Sequence, residues 1–262
     1  MINCKICNSE SKYFANGIIL SKYDIKYFKC TECSFVQTEE PYWLEEAYSN
    51  AIASADVGIV KRNIELSNVT KTLIDKYFDA KSEFIDYGAG YGLFVRLMRD
   101  KGYNFFWYDK FAQNLFSKNF EANESKPHQL LTAFEVFEHL LNPIDEINSM
   151  FLKGESIFFS TTLLPKSEPK PNEWWYYSLF AGQHISIYTL ASLQVIAEKF
   201  NKKLISDGKS LHLFTNKEIS SNIFKVMINK KISPIINLFS SKNSLINSDF
   251  EKITGVIKKK IK

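Results

Sequence analysis

The sequence predicts an α/β fold with a small cysteine-bound module at its N-terminus and a helical segment at its C-terminus. Three observations lead to this prediction. All four cysteines lie in the first 33 residues. From about residue 81 to 216, short apolar runs typical of buried strands alternate with helical patterns, and beyond residue 216 apolar stripes stand among lysines. At 262 residues and 45% hydrophobic content, the chain is long enough to bury a core.

Composition excludes several classes of protein. No apolar run approaches the roughly 18 residues of a membrane span, so we expect no transmembrane segment. The first residues contain no secretory apolar region, which predicts a cytoplasmic protein with reduced thiols. A formal charge of +4 is too small to indicate nucleic acid as a partner.

The cysteines form two Cys-x-x-Cys pairs, Cys4 with Cys7 and Cys30 with Cys33. This spacing is typical of four thiolates around one tetrahedral zinc ion, although an iron centre has the same spacing. Four protein ligands leave no open position, so the metal should be structural. We therefore predict a zinc ribbon over residues 1–36, with strands at 13–20 and 25–29, followed by a helical cap over residues 37–80.

A glycine loop follows the first predicted strand of the α/β domain. The strand ends at Asp86, and glycines stand at 88, 90 and 92 before a helical pattern that begins at Leu93. A dinucleotide fingerprint needs glycine or alanine at position 93, and no Gly-Lys-Ser/Thr follows, so both the dinucleotide and the P-loop interpretations fail. The alternative, a strand–turn–helix without a ligand, is disfavoured by three glycines with acids at both strand ends.

The pattern Asp86-x-Gly88-x-Gly90-x-Gly92, with Asp109 at the end of the next strand (residues 104–109), resembles class I S-adenosylmethionine-dependent methyltransferases. The resemblance implies a seven-stranded Rossmann-like methyltransferase sheet over residues 81–216 and S-adenosylmethionine as cofactor. It also implies that Asp109 accepts hydrogen bonds from both ribose hydroxyls. The residues expected to bind the cofactor are Asp86, Gly88, Ala89, Gly90, Asp109, Phe134, Glu135 and, for the methionine carboxylate, Arg62.

The remaining elements of the domain follow in order. The segment 111–120 predicts one helix, and the third strand of the family pattern is abbreviated. Further strands are predicted at 130–134 and 157–163, and a helix at 189–200. Two more strands are predicted at 202–207 and 210–215, and the resemblance implies that they form an antiparallel edge hairpin.

A second motif, Glu135-x-x-Glu138-His139, follows the strand at 130–134. In a helical turn over 135–140, these three side chains share one face. The arrangement resembles metal-dependent O-methyltransferases, among them plant-type small-RNA 2′-O-methyltransferases and ubiquinone-pathway enzymes. This resemblance implies that Glu135, Glu138, His139 and a later histidine, His184, bind a divalent metal such as Mg²⁺ or Mn²⁺. In the alternative the motif binds no metal, and His139 or His184 acts as general base beside Glu138.

The cysteine module, the Glu-His motif and the segment 182–186 together resemble methyltransferases encoded with bacterial surface-polysaccharide genes. The resemblance implies O-methylation of a sugar, a nucleotide-sugar or a glycan-linked, phosphate-type acceptor in capsule polysaccharide biosynthesis. Sugar C-methylation, with His184 or Tyr177 as base, is the alternative within this class. An RNA-binding or RNA-modifying protein and a non-catalytic cofactor-fold module remain open as other classes.

The C-terminal segment, residues 217–262, combines apolar stripes with lysines and ends in a basic tail over 258–262. We predict one or two helices packed on the domain. A basic amphipathic segment of this kind also suits contact with a partner or a membrane surface.

Overall fold

The computed structural model describes residues 2–48, 56–123, 127–238 and 242–256. The strands are, in chain order, β1 Ile2–Asn3, β2 Glu10–Ile19, β3 Tyr23–Cys30, β4 Val36–Thr38, β5 Glu83–Tyr87, β6 Asn104–Tyr108, β7 His128–Ala133, β8 Gly154–Ser160, β9 Ser186–Ile187, β10 Lys203–Ser206 and β11 Leu211–Thr215. The helices are α1 Leu44–Ala47, α2 Ile59–Tyr77, α3 Leu93–Asp100, α4 Pro143–Lys153, α5 Leu190–Lys199, α6 Ser221–Met227, α7 Ser233–Asn237 and α8 Ile246–Thr254.

A five-stranded antiparallel sheet, in the order β1-β2-β3-β4-β9, forms the N-terminal module. The two predicted ribbon strands are confirmed as β2 and β3. The sheet extends past residue 36, however, because Val36 of β4 pairs with Ile187 of β9. Both side chains are fully buried, so a strand far along the chain completes the apolar face of this sheet.

A six-stranded sheet has the order β10-β11-β8-β7-β5-β6, and this α/β arrangement confirms the predicted fold class. Strand β5 runs parallel to β6 and β7, whereas β11 is antiparallel to β8 and β10. The predicted C-terminal hairpin is therefore present, with β10 at the edge. Among the described residues the seventh strand is reduced to one parallel bridge between Trp107 and Glu121.

The predicted helix over 111–120 is wrong, since this segment is irregular. The amides of Leu115 and Phe116 both donate to the Tyr91 carbonyl, at 3.0 and 2.9 Å. The Asn114 side chain accepts from the Ser117 amide and donates to the Ser117 carbonyl. These local side-chain bonds compete with helical hydrogen bonding, as is common for asparagine and serine.

Contacts divide the chain into two compact units. The first comprises Met1–Ala55, Ala133–Leu152 and Ser156–Glu218, and the second comprises Asp56–Thr132, Lys153–Glu155 and Ile219–Lys262. The predicted four-segment division of the chain stays a prediction. Aromatic and aliphatic side chains fill the core of the first unit, among them Ile19, Ile25, Tyr27, Val36, Trp43, Tyr176, Tyr177 and Ile187.

The second unit contains the glycine loop and the C-terminal helices. Helix α2 packs against α3, α6 and α7 within this unit. The described residues of the C-terminal segment form three short helices, α6, α7 and α8, where the sequence predicted one or two. The predicted basic tail lies outside the described residues. None of the described helices combines the length and the apolarity needed to cross a bilayer.

Candidate active site

The glycine loop connects β5 to α3, as predicted. All three glycines have positive φ, at 69° for Gly88, 52° for Gly90 and 86° for Gly92. A Cβ at Gly92 would lie 2.8 Å from Asn114 Oδ1, so packing requires glycine there. A Cβ at Gly90 would meet nothing within 4 Å. Gly90 thus exposes its backbone to open space, where a ligand can lie directly against the peptide.

Asp109 follows β6 and ties the glycine loop to that strand. Its Oδ2 accepts from the Gly90 amide at 2.9 Å, and its Oδ1 accepts from the amides of Phe111 and Ala112 at 2.8 Å. A carboxylate can accept about four hydrogen bonds, so capacity remains for a ligand hydroxyl. The role of Asp109 toward the ribose stays a prediction.

Asp86 is buried at the carboxyl end of β5 and accepts a 2.6 Å hydrogen bond from the Thr132 hydroxyl. Burial raises the pKa of Asp86 to about 7, although the Thr132 bond opposes this rise and the charge of Asp109 adds to it. Near neutral pH this carboxyl group is therefore present in both its protonated and its ionised form. A cationic ligand beside it would favour the ionised form.

The other predicted cofactor residues have the following surroundings. The Arg62 guanidinium forms a bidentate pair with Asp56, at 3.0 and 2.7 Å. The Ala89 amide donates to the Tyr108 carbonyl at 3.2 Å. The Phe134 ring packs edge-on against Phe158. Their contacts with a cofactor stay predictions.

The Glu-His motif does not form the predicted helical turn. Only Phe137–His139 forms a 3₁₀ turn, and Glu135 precedes it with a φ of 56°. The Glu135 amide donates to Ser160 Oγ at 2.7 Å, and this hydroxyl donates to Glu135 Oε1 at 2.6 Å. Glu135 is therefore directed to β8, and the prediction that a helix places it on one face with Glu138 and His139 is wrong.

Glu138, His139 and His184 do come together, with their ligand atoms within 4.8 Å of one another. Glu138 is fully buried, and neither of its carboxylate oxygens forms a hydrogen bond of good geometry with a described residue. Burial, followed by the charge of Glu135, raises the pKa of Glu138 to about 8, although the nearby Tyr176 and Thr161 hydroxyls oppose this rise. A buried carboxylate with such weak hydrogen bonding is costly, so a proton or a cation would stabilise this position.

The two imidazoles have similar surroundings. Their ring centroids are 5.0 Å apart and the rings are nearly perpendicular. Nδ1 of His139 lies 3.1 Å from the Gln183 carbonyl oxygen, and Nδ1 of His184 lies 2.6 Å from that of Tyr176. A carbonyl only accepts, so each Nδ1 carries the proton and each Nε2 keeps a lone pair. This is the arrangement common in metal-binding histidines, and it equally suits a general base.

Burial lowers the pKa of both histidines. The value for His139 falls to about 3, with the neighbouring His184 as a second cause. For His184 burial outweighs the opposing bond to the Tyr176 carbonyl. Both imidazoles are therefore neutral at physiological pH and can bind a cation through Nε2.

A family model described as "Methyltransferase domain" matches residues 61–207 of this chain, which is more than half of its length. The chain belongs to this methyltransferase family. It is an enzyme that uses S-adenosylmethionine as methyl donor. A comparison with curated protein sequences found no match.

Solved structures of other methyltransferases are similar to this methyltransferase in fold. The plantazolicin methyltransferase BpumL, in complex with an analogue and SAH, is 11% identical, with 67% of this chain and 93% of that chain covered and a TM-score of 0.44. An O-methyltransferase family 2 protein from Planctomyces limnophilus is 12% identical, with 66% of each chain covered and a TM-score of 0.38. The methyltransferase domain of bacterial CtHen1 is 16% identical, with 58% of this chain and 98% of that chain covered and a TM-score of 0.38.

Glu135, Glu138, His139 and His184 are called the acid–histidine group below. Two residues of the methyltransferase for which the sequence predicted no role also contact this group. The Tyr48 hydroxyl lies 3.1 Å from His139 Nδ1, and Ser160 bonds to Glu135. Tyr48 belongs to a segment 91 residues before His139, so no local pattern connects them. Ser160 ends β8, which was predicted as a strand without a role for this serine.

The four cysteines of the methyltransferase converge as predicted. The Sγ–Sγ distances are 3.6 Å for Cys4–Cys33, 3.4 Å for Cys7–Cys30 and 3.6 Å for Cys7–Cys33. Four sulfurs about 2.3 Å from a tetrahedral zinc ion would be about 3.8 Å apart, so the donor set fits a metal ion. The Ile6 amide donates to Cys4 Sγ, and the Glu32 and Cys33 amides donate to Cys30 Sγ, which stabilises thiolate charge.

Proposed function

We propose that this methyltransferase transfers a methyl group from S-adenosylmethionine to a hydroxyl oxygen of a sugar, nucleotide-sugar or glycan-linked acceptor, assisted by a divalent cation. The observation that carries the proposal is Glu138, a fully buried carboxylate that forms no hydrogen bond of good geometry with a described residue and lies beside two neutral histidines. A carboxylate and two imidazoles are oxygen and nitrogen ligands that suit a divalent ion such as Mn²⁺ or Mg²⁺.

The donor set fits a cation. One ligand atom from each of three residues lies within 4.8 Å of the other two, which is close to the separation of atoms that share one ion. Glu138, His139 and His184 would hold the ion, whereas Oε1 of Glu135 accepts from Ser160. A cation there would lower the pKa of an acceptor hydroxyl.

The roles of the chain's own groups follow from their contacts. The glycine loop and Asp109 would hold the cofactor, with Gly90 leaving space against the backbone. The acceptor oxygen would form its bond to the methyl carbon as the carbon–sulfur bond breaks and its electron pair stays on sulfur. The Gln183 and Tyr176 carbonyls would keep both Nε2 lone pairs available, either for a cation or for the acceptor proton.

The acceptor class rests on the sequence resemblance to methyltransferases of surface-polysaccharide gene clusters, and we place the reaction in the cytoplasm. The C-methylation alternative loses one of its candidate bases, because Tyr177 is buried and its hydroxyl donates to the Pro169 carbonyl at 3.1 Å. No observation on the described residues favours an RNA substrate. The four-cysteine cluster would hold zinc as a structural ion without an open position.

The first experiment compares Glu138→Gln and His184→Asn with the wild-type enzyme. Calorimetry measures S-adenosylmethionine affinity, a panel of nucleotide sugars measures methyl transfer, and elemental analysis measures bound metal. We expect cofactor affinity within a few-fold of wild type, one metal ion fewer per chain and at least a 100-fold loss of transfer.

His212→Asn is the matched control, since His212 is also buried but bonds to the Thr161 carbonyl and Ser206. It should leave the metal content unchanged. Full transfer activity after chelation, with zinc still in the cysteine cluster, would contradict the metal-assisted proposal. Failure of the wild-type protein to bind the cofactor would contradict the cofactor role of the glycine loop.

A further inference from the structure

Helix α8 exposes apolar side chains and buries a polar one. Ile246, Phe250 and Ile253 stand at i, i+4 and i+7, so they share one face, and Ile246 and Ile253 are 49% and 50% exposed. A helix of a globular protein normally turns such a stripe toward the core. Helix α8 has the opposite orientation, since its apolar stripe is exposed.

Polar contacts hold α8 in this orientation. Asp249 is buried and accepts from Arg99 at 2.8 and 2.6 Å, and Arg96 lies 2.9 Å from it. The Leu245 amide donates to the Arg99 carbonyl at 3.1 Å. Such a bidentate charge-assisted pair is geometrically specific. The exposed stripe is therefore a consequence of how the helix is anchored.

The neighbouring helices expose apolar groups as well. Val226 of α6 and Ile235 of α7 are at least half exposed, and Leu238 directly after α7 is 80% exposed. Aliphatic side chains scattered singly over a surface are normal, whereas exposed apolar groups concentrated in one segment are a feature of binding surfaces. We call residues 219–238 and 242–256 with these side chains the C-terminal surface.

Charge is concentrated in the same segment. Residues 217–262 contain ten lysines and three acids, whereas the rest of the chain contains 23 basic and 26 acidic residues. The whole excess of positive charge thus comes from this segment. One of its three acids, Asp249, is already paired with arginines.

We propose that the C-terminal surface binds an anionic phospholipid bilayer. The aliphatic stripe would enter the interface between headgroups and acyl chains, and the lysines would attract the anionic headgroups. In sequence, Lys258, Lys259 and Lys260 follow α8 and add to the positive charge of the segment.

Charge distinguishes a bilayer from the other occupants of such a surface. A second copy of this chain would bring its own lysine-rich segment against the first, and like charges would repel. RNA would be attracted by lysine but would gain little from isoleucine, because nucleic-acid grooves rely on aromatic stacking. An anionic bilayer matches the aliphatic and the cationic features together.

Vesicle flotation of the full-length protein tests the proposal, with phosphatidylcholine alone and with 30% phosphatidylglycerol. We expect binding to the anionic vesicles only and a decrease as salt increases. The double variant Ile246→Ser/Ile253→Ser should lower the bound fraction at least tenfold. The matched control Ile18→Ser/Leu152→Ser, at two exposed aliphatic residues of the first unit, should bind like wild type.

Thermal unfolding and cofactor calorimetry establish that both double variants are folded, since neither changes the glycine loop or the Asp249 anchor. Equal flotation with neutral vesicles, unchanged flotation of the Ile246/Ile253 variant, or no flotation would overturn the proposal. A concentration-dependent dimer that the same variant abolishes would assign the surface to a second copy. These outcomes do not depend on the identity of the methyl acceptor.

Discussion

Two residues that were predicted to bind the cofactor have left-handed backbone. Gly90 has a φ of 52° and open space where its side chain would be, whereas Glu135 has a φ of 56° and bonds through its amide and its carboxylate to Ser160. A non-glycine residue in this region is uncommon and carries some strain. Its two hydrogen bonds keep Glu135 in this conformation.

Gly90→Ala tests whether a ligand lies against the loop. The added methyl group fits the free protein, so we expect only about 1 kcal/mol of destabilisation from the left-handed φ. S-adenosylmethionine affinity, measured by calorimetry, should fall at least tenfold because the methyl group occupies ligand space. Gly208→Ala is the control, with a φ of 78° and equally open space in the β10–β11 turn. Equal affinities for both variants would contradict the proposed cofactor loop.

Asp86 should make stability depend on pH. Its pKa is about 7 in the folded protein and 3.8 as an ordinary value, so the folded state holds the proton more tightly. The stabilisation by this group is present below pH 4 and is lost as pH rises from about 4 to 7. Asp86→Asn keeps a neutral side chain, and its stability relative to wild type should therefore increase between pH 5 and about 8. Urea unfolding across this range measures the difference, and a flat difference would contradict the raised pKa.

At the element scale, the 3₁₀ turn at Phe137–His139 and the loop after Tyr177 position the acid–histidine group. The Ile185 amide donates to the Glu138 carbonyl at 3.0 Å, and the Ser186 hydroxyl donates to the Leu140 carbonyl at 2.8 Å. These bonds join two segments more than 40 residues apart. One backbone bond and one side-chain bond therefore hold the residues after His184 against the 3₁₀ turn, which brings His184 to Glu138 and His139.

Helix α8 should depend on its buried ion pair. Asp249→Asn leaves Arg99 without its carboxylate, and breaking such a pair costs about 3 kcal/mol. Burial alone would raise the pKa of Asp249, but the bonds from Arg99 outweigh this and lower it. The stabilisation is thus present at neutral pH and disappears as pH falls through the folded pKa. Urea unfolding of Asp249→Asn at pH 7 and below pH 4 measures this change.

Asp100→Asn in α3 is the matched control for Asp249→Asn, because Asp100 forms a more exposed i,i+4 pair with Arg96. Its loss should cost less than about 1 kcal/mol. If the two variants are equally stable at pH 7, the Asp249 pair does not anchor α8.

At the scale of the whole molecule, the cysteine cluster should stabilise the five-stranded sheet. The described sheet is built on β2 and β3, and Cys30 ends β3 beside the other three cysteines. We expect one zinc ion per chain by elemental analysis, and a lower melting temperature after strong chelation that added zinc reverses. Cys33→Ser should lower both the zinc content and the melting temperature, and retention of zinc by this variant would contradict the four-thiolate site.

The sequence by itself determined the features that depend on local spacing. Strand and helix periodicity located β5, β6, β8 and α5 to within a few residues, and the glycine loop and both cysteine pairs were visible because their members lie close together along the chain. These patterns were enough to predict the fold class and the methyltransferase family. Each of these patterns involves residues that are close in sequence, and the regular geometry of a strand, helix or turn brings such residues together.

Tertiary structure decided what depends on distant partners. Glu135 was predicted on a helix face, but its amide and carboxylate bond to Ser160 and leave the motif with a short 3₁₀ turn. The C-terminal segment was predicted as one or two helices packed on the domain, but in α8 Asp249 binds Arg99 and the apolar stripe is exposed. The physical reason is the same in both cases, because a buried polar group must find its partner and that partner lies far away in sequence.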